Sequence, residues 1–380
     1  MITFFFAEYL YLNPGMPLLY QELVKRSGSA VRVYNVTSLD AGQLPAVIAS
    51  SSVVFIDTSI YNAATWAEPG KYSLYYILDQ KPKTFYREVL ERLLDAAAPK
   101  LFALYVDIHD KKNSAFFETL RGRVDAICWN FEREPIPVES VPLAYRDNWL
   151  TLDHDPTGLW RKAREYFPVR IDLPFAIADH EFSVSDPRHV WDICVPGAPY
   201  KTRKIAISSA RRAGLSVAPF QLPSRLLAAV NARLLPAILP ATTASATAIA
   251  TQQWVQRSLV RRAPVNFVCG GPLMFPVRKF FEIPAARSAM VGYPCGELED
   301  YGFRDGWNFL ASTPDDAGRT AKELLGRKEF MSTMAQRGFE TVRSLHSVRR
   351  RADQLIACIA RLEKGRLANA RFVKGEFQIT

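Results

Sequence analysis

A single carboxylate, Glu282, stands in the segment RKFFEIPAARSAMVG among basic, aromatic and small apolar residues. Two cations, Arg278 and Lys279, precede it, and Gly270 and Gly271 end the apolar run that comes before. A carboxylate has two oxygens that can accept both hydroxyls of a ribose, and neighbouring cations can bind its diphosphate. The same residues also fit a simpler interpretation, in which Glu282 complements the dipole at the start of a helix. Both interpretations stay open at the level of sequence.

The segment WDICVPGAPYKTRKIA offers a second candidate site for an anion. A strand, Gly197, and then Lys201 and Arg203 at the start of a helix would form a phosphate cradle, because backbone N–H groups and the helix dipole favour an anion there. Gly197 also permits a tight turn. The segment matches neither GxGxxG nor GxxxxGK[ST], so a plain strand–glycine–helix turn with solvated cations is the alternative.

Acidic and imidazole groups follow a strand in the first half of the chain, where LYVDIHDKKNS contains Asp107, His109 and Asp110. Ligands of open parallel sheets bind beyond the carboxyl ends of the strands. Histidine is the side chain best suited to proton transfer near neutral pH. We therefore expect His109 to be catalytic, with Asp107 or Asp110 orienting it or acting as base. A solvated loop is the alternative.

Weaker candidates for the acceptor side of a site lie in two irregular segments. LYLNPGMP follows the first strand and contains Asn13 and Gly15, and LDHDPTGLW contains His154. A plain turn is the alternative for the first of them. Neither HxH nor HExxH spacing is present, so the sequence predicts no metal site.

The elements that must position these residues alternate between apolar strands and helix-patterned stretches. Strands buried on both faces and joined by helices indicate parallel sheets covered on each side. The expected strands are ITFFFA, VRVYNV, SVVFIDTS, LFALYVDI, VDAICWN and VRIDLPFAI, and, after a restart at Trp191, DICVPG, LSVAPF, VNFVCGG, AMVGYP and NFLAST.

This pattern predicts an α/β fold with two Rossmann-like domains that face a central cleft, where a ligand would bind. The predicted domains are residues 1–182 and 183–350. Residues 351–380 are expected to form a helix and tail that pack back toward the first domain.

Composition fits a two-domain globular protein: 380 residues, 48% hydrophobic and 23% charged. Five scattered cysteines without CxxC spacing favour reduced thiols in a cytoplasmic compartment. The beginning, MITFFFAEYLYLNPG, has no basic n-region and is predicted to be a strand rather than a signal peptide. The apolar tract 226–250 is interrupted by Asn231, Arg233, Pro236 and Pro240, which predicts a loop–helix insertion rather than a spanning helix.

The net charge of +10 favours anionic partners, although it also serves solubility alone. The basic clusters RRAGLSV, VRRAP and SVRRRADQ are dispersed and lack interleaved aromatic residues, so we expect no nucleic-acid binding. An anionic membrane surface is favoured over nucleic acid as the partner of this positive charge.

Several segments of the second half resemble a known family. RKFFEIPAARSAMVG, ELEDYGFRDGWNFLAST and AQRGFETVRSLHSVRRR resemble the C-terminal domain of the CgeB-like glycosyltransferases, relatives of glycosyltransferase group 1 with the GT-B fold. PFAIADHEF and WDICVPGAPYKTRKIAI resemble that family's interdomain strand and the first strand–loop–helix of its nucleotide-binding domain. The resemblance covers about residues 170–380. Over the first half only the order and spacing of strands agree.

The resemblance implies a nucleotide-sugar donor in the second domain and a glycan, lipid-linked or protein acceptor in the first. It implies that Glu282 binds the ribose, that Lys201 and Arg203 bind the donor phosphates, and that a first-domain histidine, here His109, contacts the transferred sugar. GT-B enzymes need no bound metal, so no cofactor is expected.

Two positions depart from the pattern of the resembled family. Met274 stands where group 1 enzymes usually carry the first acid of an E-x7-E pair, and Arg287 stands where many relatives have glycine. These departures keep two alternatives open, a GT-B-shaped binding module without catalysis and a nucleotide-sugar epimerase or hydrolase.

The leading hypothesis is a hexosyl or related transferase, retaining by resemblance to group 1, or inverting if His109 acts as base. Its expected role is the synthesis of cell-surface polysaccharide, lipopolysaccharide or another glycoconjugate. Its expected location is cytoplasmic, or peripheral on the inner face of the membrane.

Overall fold

The computed structural model describes residues 1–7, 9–11, 15–40, 42–65, 75–77, 81–103, 112–130, 132–147, 155–183, 188–219, 241–271 and 274–380. Within these residues the chain forms one sheet of eight strands, one of four and a two-stranded ribbon. The strands are β1 (Ile2–Phe6), β2 (Tyr9–Tyr11), β3 (Val31–Asn35), β4 (Val53–Asp57), β5 (Tyr75–Ile77), β6 (Lys100–Ala103), β7 (Ala126–Trp129), β8 (Val169–Asp172), β9 (Ile193–Cys194), β10 (Val265–Cys269), β11 (Ala289–Tyr293), β12 (Leu310–Ala311), β13 (Asn369–Val373) and β14 (Glu376–Ile379).

Helices cover the faces of both large sheets. They are α1 (Gly15–Ser27), α2 (Leu44–Ala49), α3 (Thr58–Thr65), α4 (Lys83–Leu94), α5 (Lys112–Leu120), α6 (Pro156–Tyr166), α7 (Lys201–Arg212), α8 (Ala241–Arg261), α9 (Lys279–Ala285), α10 (Ala317–Gly326), α11 (Lys328–Leu345) and α12 (Val348–Leu362). Short 3-10 turns lie at Gly28–Ala30, Val138–Ser140 and Asp179–Glu181.

The first sheet has the strand order β14-β13-β8-β7-β6-β4-β1-β3, and its pairs are parallel except for the antiparallel hairpin β13–β14. β4 and β7 are buried along their whole length, as expected of strands covered on both faces. One apolar core lies on each face of the sheet. Burial of these near-continuous Val, Ile, Phe and Ala runs is the main force that forms the sheet.

The end of the chain completes this first sheet. β13 pairs in parallel with β8, where Asn369 lies opposite Arg170, and α12 packs against α1. The strand pairing therefore joins residues that are about 200 positions apart in the sequence. The domain limits at 182 and 350 stay predictions.

The second sheet has the order β12-β11-β10-β9, all parallel, with apolar cores on its two faces. The expected strand LSVAPF is present only as a single bridge between Val217 and Ile193. A physical reason is Pro219, which has no N–H to continue the ladder. In the tract 226–250, residues 241–250 form the first half of α8, and the rest lies outside the described residues.

Two segments of the chain cross between the sheets, and they are bonded to each other. The first crossing leads from β8 to β9, and the second leads from α11 to α12. The N–H of Ile177 donates to the carbonyl of His346 at 2.9 Å, and the N–H of Val348 donates to the carbonyl of Ile177 at 2.9 Å. The paired crossings fix the place at which the two halves of the molecule meet.

Candidate functional site

Several candidate binding residues lie at the carboxyl edge of the second sheet, the end at which its parallel strands terminate. β10 ends at Cys269, and Gly270 and Gly271 begin the loop that leads to α9. A Cβ atom on Gly270 would lie 2.3 Å from the carbonyl oxygen of Phe275, so only glycine permits this close return of the loop. The loop thereby brings Arg278, Lys279 and Glu282 back toward the sheet.

Arg203 and Gly197 shape the loop between β9 and α7. The guanidinium of Arg203 packs on Gly197. Gly197 has a φ of 114°, a conformation that glycine adopts without steric strain. Arg203 is 3% exposed, and it donates to the carbonyl of Ala198 at 2.8 Å and to that of Cys269 at 3.4 Å. Its ring contact is with Tyr200, 5.0 Å from the guanidinium carbon to the ring centre. Arg203 therefore ties this loop to the end of β10 rather than extending into the cleft.

Gly271 and Lys201 lie beside the same loop. A Cβ atom on Gly271, which has a φ of 71°, would meet the ring of Tyr200 at 3.5 Å. The N–H of Lys201, the first residue of α7, donates to Oδ1 of Asp147 at 3.0 Å. Asp147 belongs to the first half of the chain, so the start of α7 is in direct contact with it.

Glu282 lies in the first turn of α9, where both of its oxygens are bound by cations. Arg278 donates from Nη1 to Oε1, and Lys279 donates from Nζ to Oε2. The helical spacings i, i+4 and i, i+3 bring these side chains to one face. The three side chains are only 10 to 16% exposed. Glu282 thus stands with Arg278 and Lys279 near the start of a helix, and its ribose-binding role stays a prediction.

The two cations determine the charge of Glu282. Burial by itself would raise the pKa of this carboxyl, but Lys279 and Arg278 together outweigh burial and lower its pKa to about 2. Glu282 is therefore ionised throughout the physiological range. An ionised carboxylate accepts hydrogen bonds at both oxygens, which is the state that hydroxyl recognition requires.

A second carboxylate, Glu181, completes this group from the first crossing. Both oxygens of Glu181 accept from Nη2 of Arg278, at 2.8 and 2.7 Å, and its side chain is 6% exposed. Glu181 and Glu282 line one pocket. The other lining residues are Ile177, Arg257, Val260, Arg261, Ala285 and Ala286. The pocket is therefore lined by two carboxylates, two guanidiniums and four apolar side chains.

The loop after β7 in the first half contacts this same edge of the second sheet. Arg133 donates to Oδ2 of Asp300 from Nε at 2.9 Å and from Nη2 at 2.6 Å, and its backbone N–H donates to Oε1 of Glu297 at 3.3 Å. Tyr145 donates to Oδ2 of Asp315 at 2.6 Å. Since this loop follows β7, the carboxyl ends of the two sheets face each other, which is the arrangement that places a ligand between them.

Burial outweighs the nearby cations at two carboxyl groups of this contact. Burial raises the pKa of Glu297 to about 7, and hydrogen bonds from backbone N–H groups only partly oppose it. Burial, followed by the negative charge of Glu132, also raises the pKa of Asp172, which accepts from the hydroxyl of Tyr301 at 3.2 Å. Hydrogen bonds to these carboxyl groups join the two halves of the molecule.

Three residues of the segment AQRGFETVRSLHSVRRR make contacts that stabilise the structure. They are Gly338, His346 and Arg351. His346 is fully buried, its Nε2 lies 2.7 Å from the carbonyl of Tyr301, and Arg351 donates to its Nδ1 at 3.1 Å. Burial and then Arg351 lower the pKa of His346 to about 3, so it is neutral. A Cβ atom on Gly338 would meet Pro284 at 3.2 Å, which lets α11 pack closely on α9. These residues fix the second crossing and α9.

The two departures from the resembled pattern share a backbone conformation. Met274 has a φ of 60° and Arg287 a φ of 58°, the left-handed region in which glycine has no steric penalty. The guanidinium of Arg287 lies 4.4 Å from the ring centre of Phe339, a cation–π contact that stabilises this side chain. Glycine, which many members of the resembled family have at the position of Arg287, would adopt this conformation without steric strain.

The catalytic candidates of the first half, Asp107, His109 and Asp110, lie outside the described residues, as do Asn13 and His154. Gly15 is the first residue of α1. Sequence analysis did not identify Glu181 or Glu297, because an acid in a linker and an acid in a loop carry no local pattern. In the part of the chain that the structure describes, no group of three His, Cys, Asp or Glu side chains could hold a metal ion. Among the described helices, none combines the length and apolar content needed to cross a bilayer.

Comparison with known proteins gave one family match. Residues 257–357 match the family model described as "Glycosyl transferase-like", a stretch that contains β10, α9, β11 and β12. A search of the curated protein sequences gave no match.

The structure is also similar to solved structures. The crystal structure of Anabaena HepE in complex with UDP-glucose has a TM-score of 0.53 at 11% identity, covering 94% of this chain and 99% of that chain. HepE in complex with UDP and glucose has a TM-score of 0.52 at 9% identity, with the same coverage. Sucrose-phosphate synthase from Thermosynechococcus elongatus has a TM-score of 0.49 at 10% identity, covering 96% and 99%. The likeness to HepE confirms the predicted GT-B fold.

Proposed function

We propose that this protein transfers a sugar from a nucleotide-sugar donor to a hydroxyl acceptor. The observation that carries the proposal is Glu282, an ionised carboxylate that lines a pocket between two cations. In this role its oxygens accept the hydroxyls of the donor ribose. The glycosyl transferase-like match includes Glu282, and UDP and UDP-glucose are the ligands named for HepE, which has the same fold. Both support a nucleotide-sugar as the donor.

The diphosphate would be bound by cations at the carboxyl edge of the second sheet. Lys279 and Arg278 lie next to Glu282, and Lys201 begins α7 at the same edge. Charge stabilisation of a leaving diphosphate is often the largest contribution to such a reaction. Arg203 would contribute by holding the loop after β9, since its guanidinium is bound to two backbone carbonyls.

The acceptor would be bound by the first half of the chain. His109, with Asp107 or Asp110, is the candidate for contact with the transferred sugar, and Asn13, Gly15 and His154 are candidates on the acceptor side. We propose a hexosyl or related transferase of the CgeB-like branch, with a retaining outcome and without a bound metal. Inversion would follow if His109 acts as a base.

The cellular role that fits this chemistry is synthesis of surface polysaccharide, lipopolysaccharide or another glycoconjugate. The net charge of +10 supports contact with an anionic membrane surface from the cytoplasmic side. The acceptor would then be a glycan, a lipid-linked glycan or a protein.

The test is a thermal-shift screen with UDP, GDP, CDP and dTDP and their sugars, run on the wild type, Glu282→Gln and Glu323→Gln. Glu323 is an exposed acid on α10 and is the matched control. At about 100 times Kd, one nucleotide class should raise the Tm of the wild type and of the control by about 3 to 6 °C. Glu282→Gln should lose this rise. No rise with any nucleotide would overturn the proposal.

Turnover separates the transferase from its two alternatives. A transferase releases nucleoside diphosphate from the matching nucleotide-sugar much faster when an acceptor is present. Release at the same rate without any acceptor would indicate a hydrolase, and conversion of the nucleotide-sugar into its epimer without release would indicate an epimerase. A Tm rise with neither release nor epimerisation under any condition would indicate a binding module.

A further inference from the structure

Glu181 belongs to the first crossing, yet it stands at the centre of the charge network around Glu282. Its buried carboxylate accepts twice from Nη2 of Arg278. Two more guanidiniums are close, since Arg257 lies 4.0 Å from Oε1 and Arg261 donates to the backbone carbonyl of Glu181 at 3.0 Å. Glu181 is therefore the acid that balances the positive charge on this side of the pocket.

Arg278 divides its donors between two carboxylates. Nη2 is held by Glu181, and Nη1 donates to one oxygen of Glu282. A guanidinium can bind a single carboxylate through two nitrogens at once. If Glu181 lost its charge, Arg278 could turn both nitrogens to Glu282 and occupy both of its oxygens. No oxygen of the carboxylate would then be left for the ribose hydroxyls that the proposed function assigns to Glu282.

The position of Glu181 relative to Glu282 is set by the backbone. The N–H of Ser183 donates to the carbonyl of Ala285, the last residue of α9, at 3.0 Å. Within its own turn, Oε2 of Glu181 accepts from the N–H of Ala178 at 2.9 Å. The first crossing is therefore bound directly to the helix that carries Glu282.

We propose that Glu181 is a positioning residue for nucleotide binding, which holds Arg278 on one oxygen of Glu282 and so leaves the second oxygen to the ribose hydroxyls. The inference rests on the proposed function. Lys279 occupies that second oxygen in this structure, but a single ammonium on a flexible stem can exchange a carboxylate for a diphosphate. A bidentate guanidinium would not leave so readily, which is why Arg278 needs a second carboxylate.

The test is a double-mutant cycle on nucleotide affinity, measured by calorimetric titration of UDP, or of the diphosphate that gives the largest Tm rise in the screen. Glu181→Gln should weaken binding by about tenfold or more, the effect expected when a charge-assisted bond is lost. In the Glu282→Gln background the same change should have no further effect, because Glu181 acts only through Glu282. The control is Asp179→Asn, an exposed acid of the same turn that pairs with Arg349.

Kinetics and a conservative variant separate positioning from a purely structural role. Glu181→Gln should raise KM for the nucleotide-sugar about tenfold with kcat changed less than about twofold, since the lost contact serves ground state and transition state alike. Glu181→Asp keeps the charge, and its affinity should fall between those of the wild type and Glu181→Gln, which also covers the case in which the glutamine variant does not fold.

Unchanged nucleotide affinity in Glu181→Gln would overturn the positioning role, and so would an equal loss of affinity in the wild-type and Glu282→Gln backgrounds. Either result leaves the proposed function intact as long as the wild type binds the nucleotide. An affinity of Glu181→Asp at or below that of Glu181→Gln would overturn it too. A wild type that binds no nucleoside diphosphate would instead overturn the proposed function itself.

Discussion

Glu282 and Glu297 are two glutamates of the second half of the chain with little solvent exposure, and their pKa values are shifted in opposite directions. Glu282 lies between Arg278 and Lys279, and its pKa is about 2. Glu297 is 5% exposed, accepts from the backbone N–H of Arg133, and has a pKa of about 7. Burial acts in the same direction on both, so the neighbouring cations make the difference.

The contrast separates a ligand-binding carboxylate from a structural one. At Glu282 the cations keep the negative charge that hydroxyl recognition uses, next to a pocket. At Glu297 and Asp172 burial outweighs the effect of Arg133 and Arg351, and the carboxyl groups join the two halves through hydrogen bonds. Buried acids of this second kind contribute to the contact between domains rather than to chemistry.

The strongest test of this contrast is Glu282→Gln. The variant keeps the shape of the side chain but loses its charge, so the hydrogen bonds to both ribose hydroxyls weaken. We expect the affinity for the nucleoside diphosphate to fall by about 30- to 100-fold, or about 2 to 3 kcal/mol. Calorimetric titration measures it, with Glu323→Gln as control. A loss below threefold would contradict the assignment of Glu282.

Glu297→Gln tests whether Glu297 titrates near neutral pH, through the pH dependence of the free energy of unfolding. Because the pKa of Glu297 is raised above its ordinary value of 4.5, its contribution to stability is greatest below about pH 4.5 and is lost as the pH rises through about 7. Glutamine is neutral at every pH. The variant should match the wild type at pH 5 and exceed it by roughly 2 kcal/mol in free energy of unfolding at pH 8. Urea titrations at both pH values measure this. The same difference at pH 5 and pH 8 would show that Glu297 does not titrate in this range.

Lys279→Met tests whether the Lys279 ammonium, which is bound to Glu282 in this structure, also binds the diphosphate. The variant lacks a cation for the diphosphate but leaves Oε2 of Glu282 open. We expect affinity for the nucleoside diphosphate to fall about tenfold, while affinity for the nucleoside alone stays equal or rises. Competition titrations with UDP and uridine measure both. A parallel loss of the two affinities would mean that Lys279 does not reach the phosphates.

Asp172→Asn should have the smallest effect. Burial and then Glu132 raise the pKa of the Asp172 carboxyl, and asparagine replaces a protonated carboxyl at nearly the same size. We expect a change in the free energy of unfolding below about 1 kcal/mol at pH 7, measured by urea titration. A loss of several kcal/mol would mean that Asp172 is ionised and paired.

Local spacing explains which parts of the site were predictable from sequence. Arg278, Lys279 and Glu282 are three or four positions apart on one helix, so their contact follows from helix geometry. The α/β class followed from the alternation of apolar strands and amphipathic helices, which is likewise a local signal, while the GT-B assignment followed from the family resemblance of the second half. The contact of Glu181 with Arg278 spans 97 positions and that of Arg133 with Glu297 spans 164. Such contacts depend on the tertiary arrangement, and no local pattern encodes them.

Arg203 and the C-terminal hairpin illustrate the same limit. The sequence places Arg203 at a helix start, where a cation can bind phosphate, but its direction depends on the carbonyls of Ala198 and Cys269. The pairing of β13 with β8 depends on an open edge of a sheet formed by the first 172 residues.

The most direct test of the central claim is a crystal structure of the protein with UDP, or with the diphosphate selected by the thermal screen. We expect the ribose hydroxyls within about 3 Å of Oε2 of Glu282, Nζ of Lys279 moved to the diphosphate, and Arg278 still bound to Glu181 and to Oε1 of Glu282. A nucleotide bound elsewhere, with Lys279 unmoved from Glu282, would contradict it.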